Sequence, residues 1–270
     1  IIPDDELHYL PFEALQNENK KYLVEQFSVQ YNYSTTLLGK DISKGKKQTA
    51  LAFAPFASRS HTDSSGYSLN SLPASKDEVS ILHGKVFMDT SATKNNFLIS
   101  ANHYNIIHLA THASANNTDP SGSFISFYPG TQDYKLFTQE IYNLQLDSTD
   151  LVVLSACETG TGRLIKGEGL MSLSRAFAYA GCPNIITSLW RAEDKATAFL
   201  VQRLYTYMGN GFTKDIALQK AKIDWLASAE IAPRFKTPAY WAHLLFIGNY
   251  QPQQNTWPWW WIAIAVVAVI

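Results

Sequence analysis

The sequence has few cysteines and no excess of basic charge. Only Cys157 and Cys182 occur among 270 residues, too few for a disulfide framework or a Cys-rich structural zinc site. The 22 Lys and Arg are balanced by 23 Asp and Glu, so no basic surplus is available to neutralise many phosphates. These absences argue against nucleic acid as a direct partner, and they leave a thiol role open for either cysteine.

Charged residues are also missing from the C-terminal end. No Asp, Glu, Lys or Arg follows Lys236, and residues 257–270 are aromatic and then aliphatic. This composition is typical of the interfacial belt and first turns of a membrane helix, although a full span needs about 20 residues. We therefore expect one domain over residues 1–250, and over residues 251–270 a linker and the start of a transmembrane helix that anchors the protein. The alternative is that the apolar tail packs on the body of the domain. The sequence begins at Ile1 without a Met or a signal-like apolar segment, and we therefore expect it to be a fragment.

Apolar runs alternate with helical patterns along the chain. With 46% hydrophobic and 17% charged residues, the chain can bury at least one large core. Strand patterns occupy residues 49–56, 104–110, 150–156 and 184–189, and helical patterns occupy residues 170–180, 194–208 and 214–227. This alternation predicts an α/β fold with a mainly parallel sheet flanked by helices. The Ser-rich stretch over residues 58–75 is predicted to be a mobile surface loop.

Two of these strands end next to residues that carry reactive groups. The run YNIIHLA at residues 104–110 is soon followed by His112, and the run DLVVLSA at residues 150–156 is followed by Cys157, 45 positions after His112. In a parallel sheet the carboxyl ends of the strands meet at one edge, where ligands gather. A His about 50 residues before a Cys is also the order found in caspases. We predict that His112 is the general base that deprotonates the Cys157 thiol.

The residues around the two cysteines predict different roles for them. Residues 158–162 (ETGTG) carry no large apolar side chain, so the chain leaves the core after Cys157 at a turn whose N–H groups can face an oxyanion. Cys182 precedes a strand and is predicted to be a packing residue. His108 lies inside an apolar strand, so it is predicted to be a buried, hydrogen-bonded imidazole, and not a metal ligand together with His112.

No fingerprint of a cofactor site is present. The Gly-rich residues 160–169 lack the Lys followed by Ser or Thr that a phosphate-cradling loop needs after its last Gly, and Glu168 follows Gly167 instead. A carboxylate at that point would repel phosphate. We therefore expect no cofactor and no metal, and a cofactor-binding α/β enzyme is the alternative that these residues disfavour.

The chain carries a series of short motifs whose order and spacing are together highly specific. They are IPD (2–4), LPFE (10–13), LPASKDEV (72–79), IHLATH (107–112), LSACETGTG (154–162), KGEGLMSLSRAFAYAG (166–181), ITSLW (186–190) and YWA (240–242). They extend over nearly all of residues 1–248. With them, the chain resembles the CHAT family, caspase-like peptidase domains that often follow tetratricopeptide repeats.

The resemblance implies a caspase-haemoglobinase fold and places His112 and Cys157 on the catalytic pair of the family. It also implies upstream tetratricopeptide repeats that sense a partner and control the peptidase. The residue after the catalytic His is usually Gly in the family and is Ala113 here, where a Cβ restricts φ. The backbone N–H groups near Ala113 and Cys157 are predicted to stabilise the oxyanion.

We predict a cysteine endopeptidase that acts on a protein or peptide substrate. Glu168, Glu158 and Asp194 are the candidates for a substrate pocket that reads a basic side chain. The alternative is a membrane-anchored, caspase-like signalling scaffold that binds partners with little or no turnover. The presence of both members of the Cys–His pair favours the enzyme, and Ala113 favours the scaffold.

Overall fold

The computed structural model describes most of the first 249 residues. The described stretches are residues 1–34, 49–63, 66–116, 119–130, 133–155, 157–158, 168–190 and 192–249. For residues 6, 157, 158 and 168–171 the description covers the backbone alone.

Twelve strands, seven α-helices and several short 3-10 helices make up the regular structure of the described part. The strands are β1 (Ala50–Ala54), β2 (His61–Thr62), β3 (Ser68–Leu69), β4 (Gly84–Met88), β5 (Ile106–Leu109), β6 (His112–Ser114), β7 (Phe124–Ser126), β8 (Lys135–Phe137), β9 (Leu151–Leu154), β10 (Cys157–Glu158), β11 (Ile185–Ser188) and β12 (Leu244–Ile247). The helices are α1 (Ser75–Ser80), α2 (Lys94–Ser100), α3 (Thr138–Tyr142), α4 (Glu168–Tyr179), α5 (Asp194–Gly209), α6 (Lys214–Ala227) and α7 (Pro238–Trp241).

Six strands form the central sheet, in the order β12–β11–β9–β5–β1–β4. Every neighbouring pair is parallel except β11 and β12. Strands β1, β5, β9 and β11 are buried along their whole length, which is why their sequences read as continuous apolar runs and do not alternate. The predicted α/β fold with a mainly parallel sheet is confirmed.

Helices cover both faces of this sheet. Successive strand residues point to opposite faces, so Leu154 packs in a core with Phe177 of α4, while Val153 packs in a second core with Leu204 of α5. Helices α2 and α3 contribute to the first core, and α6 contributes to the second. The result is a three-layer arrangement with a hydrophobic core on each side of the sheet.

A smaller sheet continues from the carboxyl ends of β5 and β9. Its order is β10–β6–β7–β8, with β10 parallel to β6 and the other pairs antiparallel. A separate hairpin, β2–β3, lies within the Ser-rich stretch. The prediction of a mobile loop there is wrong in part, because Leu69 in the hairpin is fully buried and anchors it against the body of the domain.

The predicted membrane anchor is also wrong for the part of the chain that the structure describes. None of its helices is long and apolar enough to cross a membrane. The longest helix, α5, has 16 residues, whereas a span needs about 20. Residues 251–270, to which the prediction assigned the linker and the start of the span, lie outside the described residues.

Candidate functional site

The two predicted catalytic residues are paired on neighbouring strands. Cys157 in β10 pairs with His112 in β6, and Glu158 pairs with Ala113. Neighbouring strands lie about 4.8 Å apart, so the structure brings the backbones of Cys157 and His112 side by side. This happens because β6 begins shortly after β5 ends, and β10 begins shortly after β9 ends, at the same edge of the central sheet.

The imidazole of His112 is buried and held by a backbone carbonyl. Only 2% of the residue is exposed, and its ring packs against Phe56 with 5.0 Å between ring centroids. Its Nε2 lies 2.7 Å from the carbonyl oxygen of Asn70. Because a carbonyl only accepts hydrogen bonds, Nε2 carries a proton, and Nδ1 is therefore the basic nitrogen of the neutral ring.

The loop that supplies this carbonyl is fixed by a cluster of aromatic and charged side chains. The ammonium group of Lys135 lies 4.9 Å from the ring centroid of Phe124, 5.2 Å from that of Tyr134 and 5.4 Å from that of Tyr67. Asp63 accepts a hydrogen bond of 2.8 Å from the Tyr134 hydroxyl, and its Oδ2 lies 3.9 Å from the Lys135 nitrogen. These contacts attach the β2–β3 hairpin to β7 and β8.

Ala113 occupies an interior position in the smaller sheet. It pairs with Glu158 on one side and with Ile125 on the other, and it is fully buried. Among the described residues, positive φ at non-glycine positions occurs at Asp5, Lys20 and Asp89. Ala113 therefore replaces the usual Gly without backbone strain. The role of its N–H in an oxyanion hole stays a prediction.

The three pocket candidates lie on separate elements. Asp194 begins α5, and its Oδ2 accepts a hydrogen bond of 2.7 Å from the N–H of Ala74, just before α1. Burial raises the pKa of the Asp194 carboxyl, and the negative charge of Glu78 raises it further. Glu158 lies in β10 and Glu168 begins α4, and their side chains lie outside the described atoms. The bond from Ala74 gives Asp194 a structural role at the start of α1. The pocket role of all three carboxylates stays a prediction.

Comparison with known families identifies the chain. The family model of the CHAT domain matches residues 1–249. The chain belongs to the CHAT domain family. Sequence relatives of this CHAT domain include the Tetratricopeptide repeat protein 28 of Mus musculus, 23% identical over 297 residues, which cover 92% of this chain and 12% of that protein. The human protein of the same name is 28% identical over 128 residues, 47% of this chain and 5% of that protein. The chain thus spans only a small part of these relatives.

A solved structure with a similar backbone shows the fold of the CHAT domain. A chain of the Saccharomyces cerevisiae separase–securin complex matches with a TM-score of 0.55 and 14% sequence identity, over 90% of this chain and 15% of that chain. The predicted caspase-like fold is confirmed.

The second cysteine of the CHAT domain is a packing residue, as predicted. Cys182 is fully buried within the core that includes Phe177. Its thiol donates a hydrogen bond of 3.2 Å to the carbonyl oxygen of Asn184. Burial raises the pKa of the Cys182 thiol to about 12, so the reactive thiolate is scarce near neutral pH.

We expect Cys182 in the folded domain to resist alkylation. At pH 8 a thiol of pKa about 12 is about one part in 10⁴ ionised, whereas an unperturbed thiol of pKa about 8.5 is about one quarter ionised. Iodoacetamide should therefore modify Cys182 at least about 100-fold more slowly in folded protein than in denatured protein, as followed by peptide mass spectrometry. Equal rates with and without denaturant would contradict the buried position.

The structure also tests the predicted role of His108. Its Nδ1 lies 2.9 Å from the Tyr205 hydroxyl, its Nε2 lies 3.1 Å from Oε2 of Glu78, and the residue is fully buried. The prediction of a buried, hydrogen-bonded imidazole is confirmed. Within the described stretches, no group of three or more His, Cys, Asp or Glu side chains is placed to hold a metal ion.

Three contacts at this site were missed from the sequence. The Asn70 carbonyl is a backbone acceptor, and no residue type marks such a group. The contacts of Glu78 with His108 and Ser155 join positions 30 and 77 residues apart. One signal in the sequence points to Glu78, because it lies inside the LPASKDEV motif. This motif is part of the resemblance, which implies no contact partner for Glu78.

Proposed function

We propose that this CHAT domain is a cysteine endopeptidase in which His112 activates Cys157. The observation that carries the proposal is the register of β10 and β6, which makes the two residues direct neighbours on parallel strands. The hydrogen bond from Nε2–H to Asn70 supports it, because this bond makes Nδ1 the nitrogen that can accept a proton. The caspase-like fold provides the edge at which both residues lie.

The proposed reaction is acyl transfer through a thioester. Nδ1 of His112 takes the thiol proton of Cys157, and the sulfur attacks the carbonyl carbon of a peptide bond while the carbonyl π electrons move onto the oxygen. Backbone N–H groups near Ala113 and Cys157 stabilise that oxyanion. When the oxyanion collapses, the C–N bond breaks and the imidazolium protonates the leaving amine. Water then attacks the thioester carbon and gives one proton to His112, the C–S bond breaks to release the acid product, and the imidazolium returns the proton to the Cys157 sulfur.

The substrate and the control of this activity are part of the same proposal. Glu158, Glu168 and Asp194 are the carboxylates that we propose for a pocket that reads a basic side chain of a protein or peptide. The sequence relatives are named as tetratricopeptide repeat proteins, which supports the proposal that such repeats precede this domain. We propose that such repeats, or a partner bound to them, regulate the peptidase.

The proposal is tested by the rate at which Cys157 is acylated. A peptidyl acyloxymethyl ketone with a basic terminal residue should form an adduct that peptide mapping places on Cys157. His112→Ala should slow its formation by about 10²- to 10⁴-fold, because the proton acceptor is lost. Intact-protein mass spectrometry follows the rate, and His103→Ala, which removes an exposed imidazole, should leave it unchanged.

Two results would count against the proposal. One is equal labelling of Cys157 in the wild type and in His112→Ala. The other is no labelling of Cys157 when the proposed upstream repeats and candidate partners are present, which would favour the scaffold.

A further inference from the structure

A single buried carboxylate joins the strands that lead to the two proposed catalytic residues. Oε2 of Glu78 on α1 lies 3.1 Å from Nε2 of His108 and accepts a hydrogen bond of 2.6 Å from the hydroxyl of Ser155. His108 in β5 precedes His112 by four residues, and Ser155 follows β9 and precedes Cys157 by two residues. Glu78 therefore contacts both segments just before they reach the site.

Helix α1, which carries Glu78, directly follows a third segment of the site in the chain. Helix α1 begins at Ser75, five residues after Asn70, whose carbonyl accepts the hydrogen bond from His112. The start of this helix is held by the bond from the Ala74 N–H to Asp194. The position of Glu78 relative to His108 and Ser155 therefore also limits where the Asn70 loop can lie.

The cluster is fully enclosed in the domain. Glu78 is 2% exposed, His108 is 0% exposed and Ser155 is 5% exposed, and the far side of the His108 ring is occupied by the hydroxyl of Tyr205. Burying such polar groups is unfavourable unless each has a partner. Here the carboxylate, the imidazole and both hydroxyls form one connected network.

This network is not what stability alone would select. His108 lies between Ile107 and Leu109 in a strand whose other side chains are apolar and buried. Well-packed apolar residues in place of a buried ionic group are often as stable or more stable. The best attested use of such groups is to fix how elements sit relative to one another, which is the need of a site assembled from three segments.

We propose that Glu78 is a positioning residue, which holds the segments carrying Asn70, His112 and Cys157 in the arrangement that acylation of Cys157 requires. This inference rests on the proposed function of the Cys–His pair and deepens it. Glu78 touches no reacting atom, and it acts through His108 and Ser155. Because a displacement of about 1 Å at a reacting pair can lower the rate by about 100-fold, its removal should act on kcat more than on KM.

The test compares Glu78→Gln with a matched control, Glu13→Gln. Glu13 is equally buried at 2% exposure, and it also accepts two bonds, of 2.6 Å from the Lys222 ammonium and 2.5 Å from the Tyr31 hydroxyl. Its partners lie on α6 and on the N-terminal segment, away from the site strands. Both variants should lower Tm. Only Glu78→Gln should slow the labelling of Cys157 and lower kcat, by about 10- to 100-fold with KM little changed.

A spectroscopic readout reports the positioning without any turnover. The Nε2–H proton that His112 donates to Asn70 has its own NMR resonance, which is assigned by its loss in His112→Gln. Glu78→Gln should shift or broaden this resonance, and Glu13→Gln should leave it in place. If Glu78→Gln does not fold, Ser155→Ala is used in both readouts, because it removes one bond and retains the pair of Glu78 with His108.

The outcomes separate this inference from the proposed function. If Glu78→Gln is labelled at the wild-type rate, with an unshifted His112 resonance and an unchanged kcat, the positioning role is overturned. An equal loss of rate in Glu13→Gln would also overturn it, because the effect would then follow from stability alone. If the wild-type Cys157 is never labelled, the proposed function fails, and the resonance of His112 alone decides whether Glu78 positions this segment.

Discussion

Replacement of Cys157 by Ala is expected to abolish the proposed peptidase activity while the domain stays folded. Nucleophilic catalysis depends on one sulfur atom, and Ala offers no group that can form the thioester. Loss of the nucleophile in enzymes of this kind lowers kcat by more than about 10⁴-fold. The expected result is therefore no measurable cleavage, with an unchanged circular dichroism spectrum and Tm within a few degrees of the wild type.

The second cysteine provides the matched control for this substitution. Cys182→Ser retains a donor to the carbonyl oxygen of Asn184 and should retain cleavage, although the buried hydroxyl lowers stability somewhat. The measurement is an unbiased survey of cleavage sites that compares the protein with its Cys157→Ala form. Cleavage sites that persist in Cys157→Ala would remove this residue from the mechanism.

The parts of the fold that could be predicted from the sequence are those with a local signal. Strands β1, β5 and β9 are short apolar runs because both of their faces are covered. After the runs of β5 and β9, polar residues at Thr111 and Cys157 mark where the apolar pattern stops. The sequence alone therefore predicts that His112 and Cys157 lie at one edge of the sheet. It does not predict their pairing in register, since register depends on the contacts of the whole sheet.

The parts that could not be predicted depend on distant contacts. Strands β7 and β8 have three residues each, too few for a pattern to distinguish them from a loop. The Ser-rich stretch has the composition of a mobile loop, yet Leu69 and the cluster around Lys135 attach its hairpin to the domain. The Asn70 carbonyl acquires its role only from that attachment, so no feature of residue 70 itself could have revealed it.

Substitution of Lys222 by Met is expected to have the largest effect on stability. Lys222 on α6 is 2% exposed. Its ammonium donates one hydrogen bond to Oε1 of Glu13 and one to the carbonyl oxygen of Leu244, and each bond has a length of 2.6 Å. Met retains much of the apolar stem but leaves the Glu13 carboxylate buried without its cation. Breaking a buried ion pair in this way lowers the free energy of unfolding by about 3–5 kcal/mol.

Urea denaturation at neutral pH measures this loss, and a second lysine on the same helix is the control. The ammonium of Lys220 lies 4.7 Å from the ring centroid of Phe212 and 5.6 Å from that of Tyr207. Lys220→Met should therefore lower the free energy of unfolding by only about 1 kcal/mol. If the two variants lose the same free energy, the pair with Glu13 does not stabilise the domain in the way that its burial indicates.

A double variant separates the lost attraction from the charge that is left behind. Glu13→Leu combined with Lys222→Met removes both charges, so neither remains buried without a partner. We expect the double variant to recover at least about 2 kcal/mol relative to the sum of the two single losses. The recovery should stay incomplete, because the Tyr31 hydroxyl and the Leu244 carbonyl lose their partners in the network. Strict additivity of the two single losses would mean that Glu13 and Lys222 do not interact in the folded protein.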